Sequence, residues 1–125
     1  MIFTPGDLIS ADYVDMHGTK TTGLFVIIYN EALDTDVETR LNLTCLKVTS
    51  NVKYYDKYCF TLSQRFYGLS TVSIVRANKI FTIKTSSVNK FYISLSERDF
   101  HHVSKKLSEY FEQVIKQFNF GGYRR

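Results

Sequence analysis

The chain has 125 residues, a length that suits one ordinary domain with a core of its own. Apolar residues make up 44% of the chain and aromatic residues 15%, which is enough to fill an interior and excludes a disordered protein. The formal net charge is +4. This mildly basic balance is compatible with nucleic-acid binding and equally with an ordinary solvated surface.

Targeting and metal signals are missing from the sequence. The first residues show no basic stretch followed by a long apolar run, and no run of about 18 apolar residues occurs anywhere. We therefore expect a cytoplasmic protein that does not enter a membrane. Cys45 and Cys59 are the only cysteines, and both stand in apolar runs typical of buried free thiols. The sequence predicts neither a metal site nor a cofactor.

The first half of the chain predicts three strands. Residues 7–14 alternate in polarity with the period of a strand, and residues 15–18 form a loop. Residues 24–29 are almost wholly apolar and β-branched or aromatic, which predicts a central strand covered on both faces. The acidic segment 30–39 is predicted as an exposed loop or a frayed hairpin that would repel phosphate, and residues 41–48 as another strand.

The second half predicts four shorter strands. These are residues 58–62, 71–75, 79–83 and 90–95, with residues 64–68 as a loop and residues 76–78 as a joint between two of the strands. Short strands with turns at this spacing are typical of a small barrel or curled sheet.

A single long helix is predicted at the end of the chain. Ser96 has the character of an N-cap, and Glu97 and Asp99 place negative charge in the first turn. Apolar residues then recur at steps of three and four, which predicts one buried stripe that contains Phe111. We expect the domain to span residues 1–120, with Val26 and Phe111 in its core and residues 121–125 as a flexible tail. The fold class is therefore mostly β with one C-terminal amphipathic helix.

Four segments of the chain resemble the PemK/MazF family of ribonuclease toxins. Residues 5–9 (PGDLI) resemble the opening of that family, and residues 25–30 (FVIIYN) resemble its second apolar strand. Residues 48–50 (VTS) are similar to its Ile-Thr-Ser motif. Residues 72–83, followed by residues 95–99, are similar to its closing strands and helix start. The match rests on the order and spacing of these segments.

The resemblance implies a small SH3-like barrel, usually dimeric, that cuts single-stranded RNA without metal and pairs with an antitoxin. The chemistry it implies uses an Arg just before the second strand and the Thr of the Thr-Ser motif, which corresponds to Thr49. The chain departs from this pattern, because Thr22 occupies the position of the Arg, Gly23 that of the following Pro, and Asn51 that of a later Arg. Lys20, two residues from Thr22, is the nearest substitute cation, so Thr49 and Lys20 are the candidate catalytic residues.

A nucleic-acid surface is predicted around the end of the 41–48 strand. Basic residues could converge there beside aromatic ones to neutralise phosphates and stack on unpaired bases, and scattered solvated lysines are the alternative. The candidates are Lys20, Arg40, Lys47, Lys53 and Tyr54.

Three hypotheses follow for the function. The first is a PemK/MazF-like protein that binds single-stranded RNA or DNA, or a protein partner, with a degenerate ribonuclease site. The second is an active sequence-specific endoribonuclease toxin. The third is an accessory protein of a phage or mobile element that grips a host protein.

Overall fold

The computed structural model describes the backbone of residues 2–122 and the side chains through residue 119. Six antiparallel strands form one sheet in the order β4-β5-β3-β2-β1-β6. The strands are β1 (Asp7–Val14), β2 (Lys20–Asn30), β3 (Asn42–Thr49), β4 (Cys59–Leu62), β5 (Ser73–Lys84) and β6 (Val88–Ser94). Two helices, α1 (Gln64–Tyr67) and α2 (Glu97–Gly122), complete the fold. The predicted class, mostly β with a C-terminal helix, is confirmed.

The strand β2 lies inside the sheet between β1 and β3, as its apolar run predicts. Phe25, Val26 and Ile27 have no solvent exposure. Val26 packs into the cluster beneath α2, whereas Phe25 and Ile27 belong to a second cluster. Because successive residues of a strand point to opposite faces, the sheet has a core on each side. We call them the helix face and the open face.

The sheet does not close into the predicted barrel. Within the described part of the chain, β4 and β6 are each hydrogen-bonded on one side only and form the two edges of an open sheet. Register shifts interrupt the pairing of β1 with β6, of β2 with β3 and of β3 with β5. Such irregularities increase the local twist and bend of a strand. The sheet is therefore an irregular, open one with two packed faces.

The Gly-Asp pair at the start of β1 has a structural role. Gly6 adopts a φ of 96°, a left-handed conformation that favours glycine, and its N–H donates to the Ile27 carbonyl at 2.7 Å. The buried Asp7 carboxylate accepts hydrogen bonds from the Thr4 N–H and from the hydroxyls of Thr4 and Ser94. These bonds fix the chain entry to β1 and the end of β6.

The predicted break between residues 75 and 79 is wrong, because β5 is one strand of 12 residues. Its pairing with β3 jumps from Lys47 opposite Arg76 to Leu46 opposite Ile80. Three residues, 77–79, therefore have no partner across from them and form a large bulge. Ala77 nevertheless stays buried, and its N–H donates to the Tyr58 carbonyl at 3.1 Å.

The predicted loop 64–68 is also partly wrong, because its first four residues form the helical turn α1. Ser63 caps this turn by accepting the Phe66 N–H at 3.2 Å, and Gly68 ends it in the left-handed conformation. Tyr67 is buried, and its hydroxyl donates to the Asp99 carboxylate and accepts the Ser96 N–H. The turn α1 is thus tied to the start of α2.

The helix α2 begins as the sequence predicts and packs against β5 and β4. Ser96 accepts the Asp99 N–H at 3.1 Å, and Val103 is fully buried. The prediction that the whole apolar stripe is buried is wrong: Phe111 is 44% exposed and Phe118 is 78% exposed. The sheet covers the first half of the stripe only, so the distal half carries exposed apolar side chains, namely Phe111, Val114, Ile115 and Phe118.

Both cysteines are free and buried, as predicted. Cys45 lies in β3, inside the sheet, whereas Cys59 lies in the edge strand β4. Burial raises the pKa of the Cys45 thiol to about 12.

The predicted tail falls mainly outside the described residues, since α2 runs through Gly122 and nothing beyond it is described. No helix among residues 2–122 combines the length and the apolar character needed to cross a membrane.

Candidate functional site

The end of β3 carries the residues that the sequence singles out most strongly. Lys47 and Thr49 are two positions apart on this strand, so their side chains share the open face of the sheet. Both side chains are half-buried. They form the wall between two neighbouring hollows, so a chain lying across them would enter one hollow on each side.

The first hollow, which we call the hydroxyl hollow, has a volume of about 420 Å³. It lies where β2 and β3 approach the segment before β5. Most of its polar side chains are hydroxyls, which can donate and accept hydrogen bonds. Its lining, besides Lys47 and Thr49, includes Ser10, Thr22, Gly23, Ser50, Ser70, Thr71, Ser73 and Tyr92.

The second hollow, which we call the aromatic hollow, has a volume of about 550 Å³. Its rings come from β1, β5 and the turn after β3, and Tyr13 and Phe81 meet edge to face at 5.4 Å between ring centroids. Its charged side chains come from the β1–β2 turn, β3 and β5. The full lining is Tyr13, Asp15, Met16, Lys47, Thr49, Tyr54, Arg76, Lys79 and Phe81.

Lys47 places its ammonium against the backbone of Gly23. A Cβ atom at Gly23 would lie 2.9 Å from Lys47 Nζ and 2.8 Å from Tyr13 Cε1, so only glycine leaves room there for this lysine. The ammonium lies 5.2 Å from the centre of the Phe25 ring and donates to the Val48 carbonyl at 2.7 Å. Burial, followed by the positive charge of Arg76, lowers the pKa of Lys47 from its ordinary value.

Thr49 Oγ1 accepts the Asn51 N–H at 3.1 Å. This bond holds the turn that follows β3 and leaves the hydroxyl proton free for an acceptor in either hollow. Asn51 in turn accepts the Lys53 N–H at 3.2 Å and caps the 3₁₀ turn Val52–Tyr54. Asn51 therefore serves as a turn residue at a position where the family resemblance implies an arginine.

Arg76 is a functional candidate that the sequence analysis missed. It lies opposite Lys47 in β5, and its guanidinium carbon lies over the Tyr54 ring at 4.6 Å from the centroid. Its Nε atom is buried and has no hydrogen-bond partner among the described residues. Within that part of the chain the sole ion pair is Lys116–Glu112, and the Asp56 carboxylate, whose pKa the charge of Arg76 helps to lower, lies beyond ion-pair distance of this guanidinium.

Thr22 lies at the rim of the hydroxyl hollow, and its own hydroxyl already makes a hydrogen bond within the protein. It donates to Asp12 at 2.6 Å, and the Asn89 amide donates to the same oxygen at 2.8 Å. These two hydrogen bonds, in that order, lower the pKa of Asp12. Position 22 thus carries a hydroxyl paired with a carboxylate.

The predicted surface residues separate into different regions. Lys47 and Tyr54 meet Thr49 at the aromatic hollow, and Lys53 is exposed beside Tyr54. Lys20 lines a different hollow of about 400 Å³, on the other side of Tyr13 and Phe81. Arg40 lies farther away, in a hollow with Phe3, Leu41 and Thr85. The structure therefore does not bring Lys20 and Arg40 together with Thr49.

The acidic loop lies at the far end of β2 from this site. Gly23 and Asn30 are seven residues apart in the strand, which corresponds to about 23 Å at roughly 3.3 Å per residue. The acidic side chains of this loop are therefore far from Lys47 and Thr49. Among the described residues no three His, Cys, Asp or Glu side chains come close enough to hold a metal ion.

The sequence and the fold were compared with known proteins. A search of curated protein sequences finds no match. Among solved structures, a mycobacterial endoribonuclease in complex with its cognate antitoxin has a similar fold, with a TM-score of 0.64 at 11% identity over 86% of this chain and 93% of that one. A second mycobacterial endoribonuclease gives a TM-score of 0.60 at 10% identity, over 83% and 86% of the two chains.

The family comparison covers most of the sequence. The model of the PemK-like, MazF-like toxins of type II toxin-antitoxin systems matches residues 4–111, which include all six strands and the first half of α2. The predicted resemblance is thereby confirmed: the chain belongs to the PemK-like, MazF-like toxin family.

Proposed function

We propose that this chain binds single-stranded RNA across Lys47 and Thr49 and cleaves it slowly, without metal, as a toxin-type protein of the cytoplasm. The observation that carries this proposal is the half-buried Lys47 ammonium, held against Gly23 in the wall between two hollows. An RNA phosphate on that wall would leave its two nucleotides in the hydroxyl hollow and the aromatic hollow.

The reaction class follows from the groups present. The ribose 2′-oxygen attacks the adjacent phosphorus and loses its proton, the bond from phosphorus to the 5′-oxygen breaks, and the 5′-oxygen takes up a proton. The products are a 2′,3′-cyclic phosphate and a 5′-hydroxyl. The protein must hold the phosphate in line and offset its growing negative charge. Lys47 supplies the charge, and the Thr49 hydroxyl can donate to a non-bridging phosphate oxygen.

Slow cleavage follows from position 22. A guanidinium aimed at the phosphate would contribute on the order of 2.7–4 kcal/mol to the transition state, which corresponds to about 100-fold or more in rate. Thr22 has no charge, and its partner Asp12 adds a negative one at the rim. Fast, multiple-turnover cleavage by the unmodified chain would instead favour the alternative hypothesis, an active sequence-specific endoribonuclease.

The role of Lys47 can be tested by comparing Lys47→Met with Lys53→Met. Methionine keeps the length and apolar contacts of the lysine and removes its charge, so RNA cleavage should fall about tenfold or more. Lys53 is exposed on the neighbouring turn, so its variant should change the rate less than about threefold. Cleavage of a long, end-labelled single-stranded RNA is followed in chelator, and binding is followed by fluorescence anisotropy.

Two results would contradict this proposal. Equal rates for the two lysine variants would show that Lys47 does not serve the reaction. An unmodified chain that neither binds nor cuts RNA at low salt, where phosphate contacts are strongest, would overturn the proposed function altogether.

A second candidate function, binding of an antitoxin-like protein, is favoured by the distal half of α2. Phe111, Val114, Ile115 and Phe118 are between 42% and 78% exposed and follow one another along the helix. Exposed apolar clusters of this kind mark interaction surfaces. The net charge of +4 suits an acidic partner.

To test this second function, the chain is purified, treated with nuclease and mixed with an acidic protein encoded by a neighbouring gene. We expect a stoichiometric complex that Ile115→Glu/Phe118→Glu abolishes, measured by light scattering after size exclusion. A matched variant on the opposite side of the helix, Lys105→Glu, should leave the complex intact. A tight homodimer that the same double variant dissociates would contradict the antitoxin-like partner and indicate a second copy of the chain.

A further inference from the structure

The aromatic hollow differs from a phosphate site in its chemistry. Tyr13, Tyr54 and Phe81 give it broad apolar walls, and a carboxylate, Asp15, stands among its cations. Both features disfavour a bound phosphate, which needs donors and positive charge alone. Flat walls and mixed polar groups are instead what an unpaired nucleobase requires, since bases stack on rings and present donors and acceptors along their edges.

The donors of the hollow have a fixed geometry. The Arg76 guanidinium lies over the Tyr54 ring, which restricts where it can move, and Lys79 adds a second cation from the same strand. Arginine has donors only and makes its best base contact as a fork to two neighbouring acceptors. The O6 and N7 atoms of guanine form such a pair, whereas adenine presents an amine at the position of O6.

Asp15 offers the matching acceptor. Its Oδ1 atom accepts the N–H groups of His17 and Thr19, each at 2.9 Å, and this pins the side chain in the β1–β2 turn. The other oxygen, Oδ2, accepts no hydrogen bond from the described residues and remains available. A carboxylate oxygen is the natural partner for the N1–H and the 2-amino group of guanine. No other base presents two adjacent acceptors on one edge and two adjacent donors on another.

We propose that the aromatic hollow is a guanine-specific subsite, which places a guanosine next to the phosphate held at Lys47 and Thr49. Arg76 and Lys79 read O6 and N7, Asp15 reads N1–H and the 2-amino group, and Tyr13 and Phe81 form the stacking wall. The hollow of about 550 Å³ has room for a purine nucleotide. This inference rests on the proposed RNA-binding function and names the nucleotide that the site selects.

The test measures binding of uridine heptamers that differ only at the central base. All sugars carry 2′-fluorine, so no 2′-hydroxyl is available for attack and the RNA stays intact. The heptamer with central guanine should bind about tenfold more tightly than the one with adenine, as expected for one good bidentate base contact. Central 7-deazaguanine, which lacks N7, and central inosine, which lacks the 2-amino group, should each lose about threefold or more.

Two variants test which residue contacts which edge of the guanine base. Asp15→Asn keeps the oxygen that caps the turn and replaces the free oxygen by a donor, so it should abolish the preference for guanine over inosine. Arg76→Met should abolish the preference for guanine over 7-deazaguanine. Lys57→Met, which removes an exposed cation that lines neither hollow, should leave both preferences unchanged, and cooperative urea unfolding of the two hollow variants excludes misfolding.

The outcomes separate this inference from the proposed function. Equal binding of all four central bases would overturn the guanine subsite and leave RNA binding intact. A preference for guanine that survives both variants would show that the base is read elsewhere. No binding to any heptamer would overturn the subsite and the proposed function together.

Discussion

Introducing arginine at position 22, as Thr22→Arg/Asp12→Asn, should raise the rate of RNA cleavage by about 100-fold. The new guanidinium would stand at the rim of the hydroxyl hollow, one residue from the backbone against which the Lys47 ammonium packs. A charge-assisted donor aimed at the phosphate stabilises the transition state more than the ground state. The change at Asp12 is needed because its carboxylate, now bonded to Thr22 at 2.6 Å, would capture the new arginine.

The control for this gain is Thr22→Gln/Asp12→Asn, which has nearly the same shape and no charge. A second control is Thr35→Arg, because residue 35 is exposed in the acidic loop beyond the far end of β2 and adds the same charge away from both hollows. Neither control should change the single-turnover rate by more than about threefold. A gain in all three proteins would indicate simple phosphate attraction, and no gain in the first would show that position 22 does not face the reacting phosphate.

Truncating Val26 to alanine should lower the free energy of unfolding by about 2 to 4 kcal/mol. Val26 is completely buried in the cluster beneath α2, between two hydrogen-bonded neighbour strands, so the vacated volume cannot collapse easily. Urea denaturation measures the effect as a shift of the midpoint at constant slope.

The matched comparison is Phe111→Ala, which removes a larger side chain from the half-exposed stripe of α2. Phe111 is 44% exposed, and alanine has the higher helix propensity, so we expect a cost of about 1 kcal/mol or less. A cost for Phe111 that equals or exceeds the cost for Val26 would show that the distal part of α2 is packed in solution. That result would contradict an exposed apolar stripe in the isolated chain.

The elements that were predicted correctly are those whose local sequence pattern agrees with their tertiary environment. The strand 7–14 is confirmed at both ends because alternation and the Gly6 turn mark the same boundaries. The start of α2 is confirmed because Ser96 caps it as its side chain suggests. These signals lie within a few residues of each other, so one sequence is sufficient to find them.

The errors share a different cause, which is that long-range pairing decided the outcome. The polar residues 76–78 suggested a turn, yet pairing with both β3 and β4 keeps this segment within one strand as a bulge. The signal that could have revealed Arg76 is the alternation of buried Val75 and Ala77 around it. Lys20 was grouped with Thr49 because it lies near the Arg position that the family resemblance implies, and Arg40 because it lies near the strand that ends at Thr49, but the fold places them in other hollows.

The positions of the two native thiols allow the order of unfolding to be followed by chemical labelling. Cys45 is sealed inside β3, whereas Cys59 is equally hidden but belongs to the short edge strand β4. A thiol reagent reaches each one only when its strand detaches from the sheet, and edges open at lower free energy than sheet centres. The labelling rates of single-cysteine variants would therefore report two different openings, one local and one global. Their ratio would measure how cooperatively the sheet comes apart.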